Sequence, residues 1–349
     1  MWRWARRTQP NGPEAGRAVC HSPQACSCPV RRGEAVSGAD YRLEDLGDHR
    51  LLTVDGQSYR TVYSERLLLM LIERKGPYRA VLYLPYRETR GRYFLEPLFR
   101  YLEARGAGAL RVLEVGCSFG HMTEYLAAQA TVAAVHTFDA DPAFISMTRL
   151  KVSELGLDRV RDVALFTNEE TCNLPYASGA FDLVVASGVI EHLPLRTRRR
   201  QVDEYYRVLA LGGHIAILDT PNRAFPLETH SVGLPFVHWL PPRLAYHYAR
   251  LGRPATYGRL TYKEFMEDGS GWMNASWREC LPSSGWSGLD DVTEEAGYGW
   301  RFFRDTARSR TRLALLPAFA VAAAALRAAG RPPSLCLPYL NLLFRRTLR

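Results

Sequence analysis

Short apolar runs and longer amphipathic stretches alternate through the middle of this chain, and that rhythm sets its architecture. The runs at 111–115, 133–138, 163–166, 182–186 and 214–218 are rich in Val, Ile, Leu and Phe and too short for helices, so they predict strands. Helical periodicity separates them. Asp141 is placed to cap one helix, Pro142 suits its first turn and Gly156 stops it. Another helix is expected over 197–210, ending before Gly212 and Gly213. Strands and helices alternating at this spacing need right-handed parallel crossovers, hence an α/β fold with an open, doubly wound, mostly parallel sheet. Ligands on such sheets bind beyond the carboxyl ends of the strands, where the strand order reverses.

The flanks behave differently. Residues 1–40 are polar and without periodicity, and predict a flexible leader. Residues 41–108 predict a helical extension, with helices over 65–74 and 92–105 around a stretch containing Pro85. The core is expected over 109–222. From 223 to 349 the rhythm is lost, which predicts a lid of loops and short helices over the strand tips, carrying Phe236, Trp239, Trp272 and Trp277. Within it, residues 313–326 are apolar throughout, and 338–346 reads as a last strand returning to the sheet. Fourteen apolar residues fall short of the ~18–20 that span hydrocarbon, so that stretch is expected to be a buried or an interfacial helix.

The net charge of +9 raises the question of a nucleic-acid or anionic membrane partner. Only three of the 45 basic residues are lysines, and the arginines are scattered, with one tight block at Arg196, Arg198, Arg199 and Arg200. That block is expected to be a solvated helical face, and a nucleic-acid partner is not expected. Seven cysteines, with Cys117, Cys172, Cys280 and Cys336 far apart, predict reduced thiols and a cytoplasmic protein. Cys20, His21, Cys26 and Cys28 match no common zinc spacing. The first residues carry charge with no apolar run behind them, so no secretory signal is expected.

The chemistry concentrates where the first core strand breaks into glycines, from Glu114 through Gly116, Ser118 and Gly120 to His121. Three readings compete. A dinucleotide turn wants Gly-x-Gly-x-x-Gly, and only Gly116 of Gly116, Ser118 and His121 complies. A hydrolase nucleophile elbow, Gly-x-Ser-x-Gly, fits Gly116, Ser118 and Gly120 by letter, with Asp219 and His230 or His238 following in order. No oxyanion segment precedes it. The third reading is an acid and glycine turn, Glu114-x-Gly116-x-x-x-Gly120, answered by Asp139 at the end of the second strand, 23 positions beyond Gly116. That is the distance at which a carboxylate reaches a ribose diol.

The third reading continues in order. Glu170 follows the third strand; Phe181 and Asp182 open the fourth; Glu191 and His192 follow it; Gly212 and Gly213 precede the fifth. From about Leu110 to Arg223 the chain resembles the class I S-adenosylmethionine-dependent methyltransferases. It is further similar to the branch holding ubiquinone-biosynthesis O-methyltransferases, through Thr220, Pro221, Asn222 and Arg223 and the Pro-rich segments at 225–230 and 234–241. The resemblance implies a seven-stranded Rossmann-like sheet and S-adenosylmethionine held by Glu114, Gly116, Ser118, Gly120, Asp139, Glu170 and Glu191. It departs at Ser118, where the family has glycine. Some of that branch hold a divalent metal through Glu-x-x-Glu-His; here the first acid is Gly188, so no bound metal is expected.

The implied reaction is O-methylation of a small-molecule, lipid-linked or glycan acceptor. His192 and His230, on loops at the strand tips, are the candidate bases, whereas His214 at the start of a strand is expected to be structural. The apolar helix at 313–326, flanked by Arg310, Arg312, Arg327 and Arg331, is a candidate peripheral contact with the inner face of the membrane. Two alternatives remain open: an esterase using Ser118, and a methyltransferase-like binding protein without activity.

Overall fold

The central strands form where both faces of the chain are apolar, because helices cover the sheet on each side. The computed structural model describes residues 41–228, 230–267, 274–306 and 310–347; the leader, its Cys20–Cys28 cluster and Trp272 lie outside them. The main sheet holds β4 (Leu110–Val115), β5 (Val132–Asp139), β6 (Val160–Leu165), β7 (Phe181–Ser187), β8 (Leu209–Pro221), β9 (Leu289–Asp291) and β10 (Tyr339–Arg346). Its order is β6-β5-β4-β7-β8-β10-β9. The first five are mutually parallel, and β10 enters antiparallel between β8 and β9. The expected seven-stranded, mostly parallel sheet is present. The strand order reverses between β4 and β7, which places the ligand crevice at their carboxyl ends.

Helices α1 (Glu65–Lys75), α2 (Pro77–Tyr83), α3 (Arg92–Glu103), α4 (His121–Ala127), α5 (Pro142–Glu154) and α6 (Leu195–Val208) flank the sheet. Leu95, Leu98 and Leu102 of α3 and Leu126 of α4 bury one face against Val112, Val135, Leu183 and Ala216. Val202, Tyr205 and Tyr206 of α6 bury the other against Leu113, Val184, Ile215 and Ile217. Asp141 caps α5 as its position predicts, accepting from Ala143 N at 2.9 Å. A separate small core under α7 (Pro242–Gly252), α8 (Pro254–Tyr257) and α9 (Tyr262–Glu267) gathers Val237, Ala245, Ala249, Tyr257 and Phe265.

Four expectations are corrected or narrowed. Residues 41–61 are not helical; β1 (Tyr41–Asp45), β2 (Arg50–Val54) and β3 (Gln57–Thr61) form an antiparallel ribbon. Its signal was the Asp55-Gly56 turn, where both residues take positive φ (49° and 76°), between runs that alternate polar and apolar. In the arginine block of α6, Arg196, Arg199 and Arg200 are exposed as expected, but Arg198 is not part of that solvated face. Arg198 is buried, donating to the carbonyls of Glu191, Leu193 and Asn274 and pairing with Glu279 at 2.8 Å. Trp277 is not over the strand tips; it packs with Trp286, which stands edge-on to Phe344, against the middle of the sheet. The apolar run forms α11 (Arg310–Ala328), after α10 (Trp300–Asp305), and it is not buried: Ala323 is covered while Leu313, Leu315 and Val321 are 49%, 45% and 72% exposed. No described helix is long and apolar enough to cross a membrane.

The ribbon and α1 are fastened to the sheet through Phe119 and Met147, which complete their apolar core with Leu52, Leu67 and Leu71. Inside that joint Lys151 is fully buried. Its Nζ sits 3.6 Å from the Phe119 ring centroid, 3.2 Å from Tyr63 Oη and 3.4 Å from Glu124 Oε2. Burial, only partly answered by Glu124, pushes its pKa down to about 8. Between pH 8 and the ordinary lysine value the unfolded chain holds a proton that the folded chain has released, so stability rises with pH across that window. Urea titrations of wild type and Lys151→Met from pH 7 to 10.5 should show the difference in unfolding free energy shifting toward wild type by about 1–3 kcal/mol. Parallel profiles would refute the buried cation.

Candidate functional site

The turn after β4 is built from backbone conformations that side chains resist. Gly116, Ser118 and Gly120 take φ of 74°, 48° and 78°, three left-handed residues within five. A Cβ on Gly116 would stand 2.7 Å from Val189 Cγ2, so the two strand ends that flank the reversal can approach only because that residue is bare. Ser118 keeps the glycine-like conformation at a cost of about 1–2 kcal/mol. Two long-range bonds hold it there: its N–H donates to Asp139 Oδ2 at 2.8 Å, and its carbonyl accepts from Thr148 Oγ1 at 3.0 Å. Among the described residues no histidine is hydrogen bonded to Ser118, and no strand of the main sheet precedes β4. The nucleophile-elbow reading lacks its base and its preceding strands.

The acids of the turn divide by position. Asp139, at the tip of β5, lies beside the turn with Oδ1 accepting from Asp141 N at 3.0 Å; burial raises its pKa against those two N–H donors. Glu114 lies beneath the turn, 2% exposed, and accepts from Thr123 Oγ1 at 2.5 Å; burial pushes it up to about 7. Its place is that of a brace between β4 and α4. Glu170 stands exposed beyond β6, with its carboxylate on the Thr167 N–H and hydroxyl at 2.7 and 2.8 Å.

A second group gathers at the tips of β7 and β8. Glu191 and His192 close a short 3₁₀ turn (Ile190–His192), and His230 reaches them from the loop after β8; the two imidazole centroids are 5.5 Å apart. Glu191 is 2% exposed and burial pushes its carboxyl up to about 8. Thr220 leans toward it, but neither side chain reaches hydrogen-bonding geometry. Burial and the neighbouring His192 and Arg90 push His230 down to about 3. His192 keeps 46% of its side chain open to solvent, so its downward shift, from desolvation and then Lys75 and Arg198, is the weaker one. Both imidazoles are neutral near pH 7. His214, as expected, is structural, edge-on to Tyr101 at 5.7 Å and far from this cluster along β8.

Three residues to which sequence reasoning gave no part in the site surround this group. Arg198 grips the carbonyls on either side of His192. Glu228, 3% exposed, accepts from the backbone N–H groups of His230, Ser231, Val232 and Gly233 and so folds the loop that presents His230. Arg90, in a π-helical turn (Arg87–Gly91), pairs with Asp219 at the end of β8. An acid two positions ahead of a candidate histidine is the only trace Glu228 left in the sequence. A pocket lined by Tyr93, Phe94, Asp219 and Phe303 lies beside the Arg90–Asp219 pair.

Comparison with known proteins bears on the stretch that carries this geometry. The methyltransferase-domain family model matches residues 113–217, from within β4 to within β8. Over 129 residues the chain is 31% identical to methyltransferase GfsG of Streptomyces halstedii, covering 37% of this chain and 44% of that one. Over 150 residues it is 31% identical to probable tRNA methyltransferase 9B of Mus musculus, covering 42% and 30%. Over 111 residues it is 30% identical to demethylmenaquinone methyltransferase of Thermus thermophilus, covering 32% and 47%. The chain thus spans less than half the length of each of these curated relatives.

Two substitutions test the turn. Ser118→Gly should raise the unfolding free energy by roughly 0.5–1 kcal/mol in urea titration, since it relieves the left-handed serine. Gly116→Ala should lower it by about 1–3 kcal/mol, because its Cβ meets Val189 and its φ is strained. A stabilised Gly116→Ala would mean the close approach of β4 and β7 is misjudged.

Proposed function

Residues 113–217 are a class I S-adenosylmethionine-dependent methyltransferase domain, and on that premise we propose that the chain methylates an oxygen of a lipid-linked small-molecule or glycan acceptor. The observation that carries the cofactor half is the bare, left-handed turn at Gly116, Ser118 and Gly120, locked to Asp139 at the point where strand order reverses. It fits a nucleoside ligand: backbone lies open to it, and Asp139 offers two acceptor oxygens to a ribose diol. Glu170, next along the same sheet edge, accepts from the adenine amino group in exchange for its bonds to Thr167. Glu114 supports the turn from below, and Glu191 closes the crevice from the β7 side.

S-Adenosylmethionine, when bound, supplies a methyl carbon on a positively charged sulfur that leaves readily. The protein then has to orient the acceptor, keep water out and take a proton. His192 or His230, both neutral, accepts the hydroxyl proton at an imidazole nitrogen, a contribution of about 10²–10⁴-fold. Support for a lipid-linked acceptor comes from the surface beside these histidines. Phe236 and Trp239, 49% and 51% exposed, lie 5.1 Å apart; Trp239 bonds to the Arg223 carbonyl, and Phe225 stacks on Phe319 of α11. An exposed apolar helix and an aromatic pair thus border one loop, as an interfacial anchor would. A nucleic-acid acceptor is disfavoured by where the arginines go: Arg198, Arg199, Arg207 and Arg346 are engaged with protein carbonyls.

Calorimetric titration with S-adenosylmethionine and its demethylated product should show binding, weakened about 10-fold or more in Asp139→Ala, since two charge-assisted bonds are lost. Absence of binding by folded wild type would sink the cofactor assignment, and binding with no turnover of any acceptor would favour the inactive relative. Flotation with vesicles containing anionic lipid should carry wild type upward and leave Leu315→Glu/Val321→Glu behind. Wild type that stays in the soluble fraction rules out the membrane contact.

A further inference from the structure

Three side chains of metal-ligating type converge beyond β7 and β8, where the sequence offered only two. Glu191, His192 and His230 present coordinating atoms that all lie within 4.8 Å of one another. Both Glu191 oxygens and His230 Nε2 are buried with no hydrogen-bond partner. A buried carboxyl with neither oxygen satisfied costs several kcal/mol, and an orphaned imidazole nitrogen beside it adds to that. Orphans of this kind facing one another across a gap of ionic size are what a ligand set looks like without its ion. Glu191 is 2% exposed, so water does not take the place of the missing partners.

We propose that Glu191, His192 and His230 form a binding site for a divalent transition-metal ion. Two imidazoles and one carboxylate suit Mn, Fe, Co, Ni or Zn rather than Mg or Ca, which take mostly oxygen ligands. Three protein ligands leave coordination positions open, and the 46% exposure of His192 sets the direction from which they are reached. The ligands are held from behind. Arg198 fixes the carbonyls flanking His192, and four backbone N–H groups on Glu228 fix the loop of His230. Arg90, whose charge reaches His230 and Glu191, is already paired with Asp219.

As to its purpose this rests on the methyl-transfer reading and changes it in one respect: with the ion bound both imidazoles are ligands, so the cation draws the acceptor oxygen to the site and acidifies its hydroxyl, and the proton leaves to water instead of to a histidine. Binding itself does not depend on that reading, which makes the two separable.

The test uses the full, tag-free chain stripped with chelator. Calorimetric titration with Zn²⁺ or Mn²⁺, and visible absorption on adding Co²⁺, should show one ion per chain. Affinity should fall about 10–100-fold in His192→Gln and in His230→Gln, each checked for folding by near-UV circular dichroism. The demethylated cofactor product is titrated into the same samples. Cofactor binding without metal binding overturns the site and leaves the methyl-transfer reading standing. Metal binding without cofactor binding does the reverse. Metal affinity unchanged in both variants, as expected if Cys20, His21, Cys26 and Cys28 took the ion, also overturns it.

Discussion

The structure turns on the backbone between Val115 and His121. Three left-handed residues reverse the chain at the tip of β4, and everything that makes a site is fastened to that reversal. The loop after β7 can close on it only because Gly116 has no side chain to meet Val189. Asp139 is aimed by the Ser118 N–H, α5 is tied in through Thr148, and α4 is braced from below by Glu114. Phe119, in the same turn, points the other way and anchors the N-terminal ribbon. One short segment therefore couples the crevice, the sheet and the ribbon.

That coupling explains why costly groups lie where they do. Lys151 and Glu124 are buried together under Phe119, a pair that hydrophobic residues of similar size would replace without loss of stability. What the pair contributes is register: α5, α4 and Tyr63 of the segment after β3 can meet in only one way that satisfies all three polar groups. Beyond β7 the same economy fails. Among the described residues Glu191 is the one acid whose carboxylate oxygens are both buried without a hydrogen-bond partner, and His230 Nε2 beside it is orphaned too; such a concentration is expected at working sites rather than in scaffolding.

Much of the core was legible because its signals are local. The five parallel strands, the Asp141 cap and the glycine turn depend on neighbours within a few positions, and their boundaries came out within a few residues, save that β8 begins earlier and runs longer than its apolar run. Ser118 was the doubtful letter. A serine in a glycine place says nothing by itself about φ; the bonds from Asp139 and Thr148, 21 and 30 positions away, set it. The ribbon at 41–61 was missed although its Asp55-Gly56 turn is written in the chain, because its flanking runs are only half apolar. Arg198 was misread for another reason. Helical periodicity tells which residues share a face, and cannot tell that the face of Arg198 is turned inward onto carbonyls.

Taken alone, the amino-acid sequence determined the class of fold, the place of the crevice and the acids bordering it, since strand period, caps and glycine turns are properties of contiguous residues. Only the tertiary structure decided which distant groups face one another. His230 meets Glu191 and His192 because β7 and β8 are neighbours and Glu228 folds the intervening loop. Apolar α11 is left largely uncovered because the sheet it follows already has both faces filled. Those outcomes depend on what else competes for the same space, and no stretch of sequence carries that information.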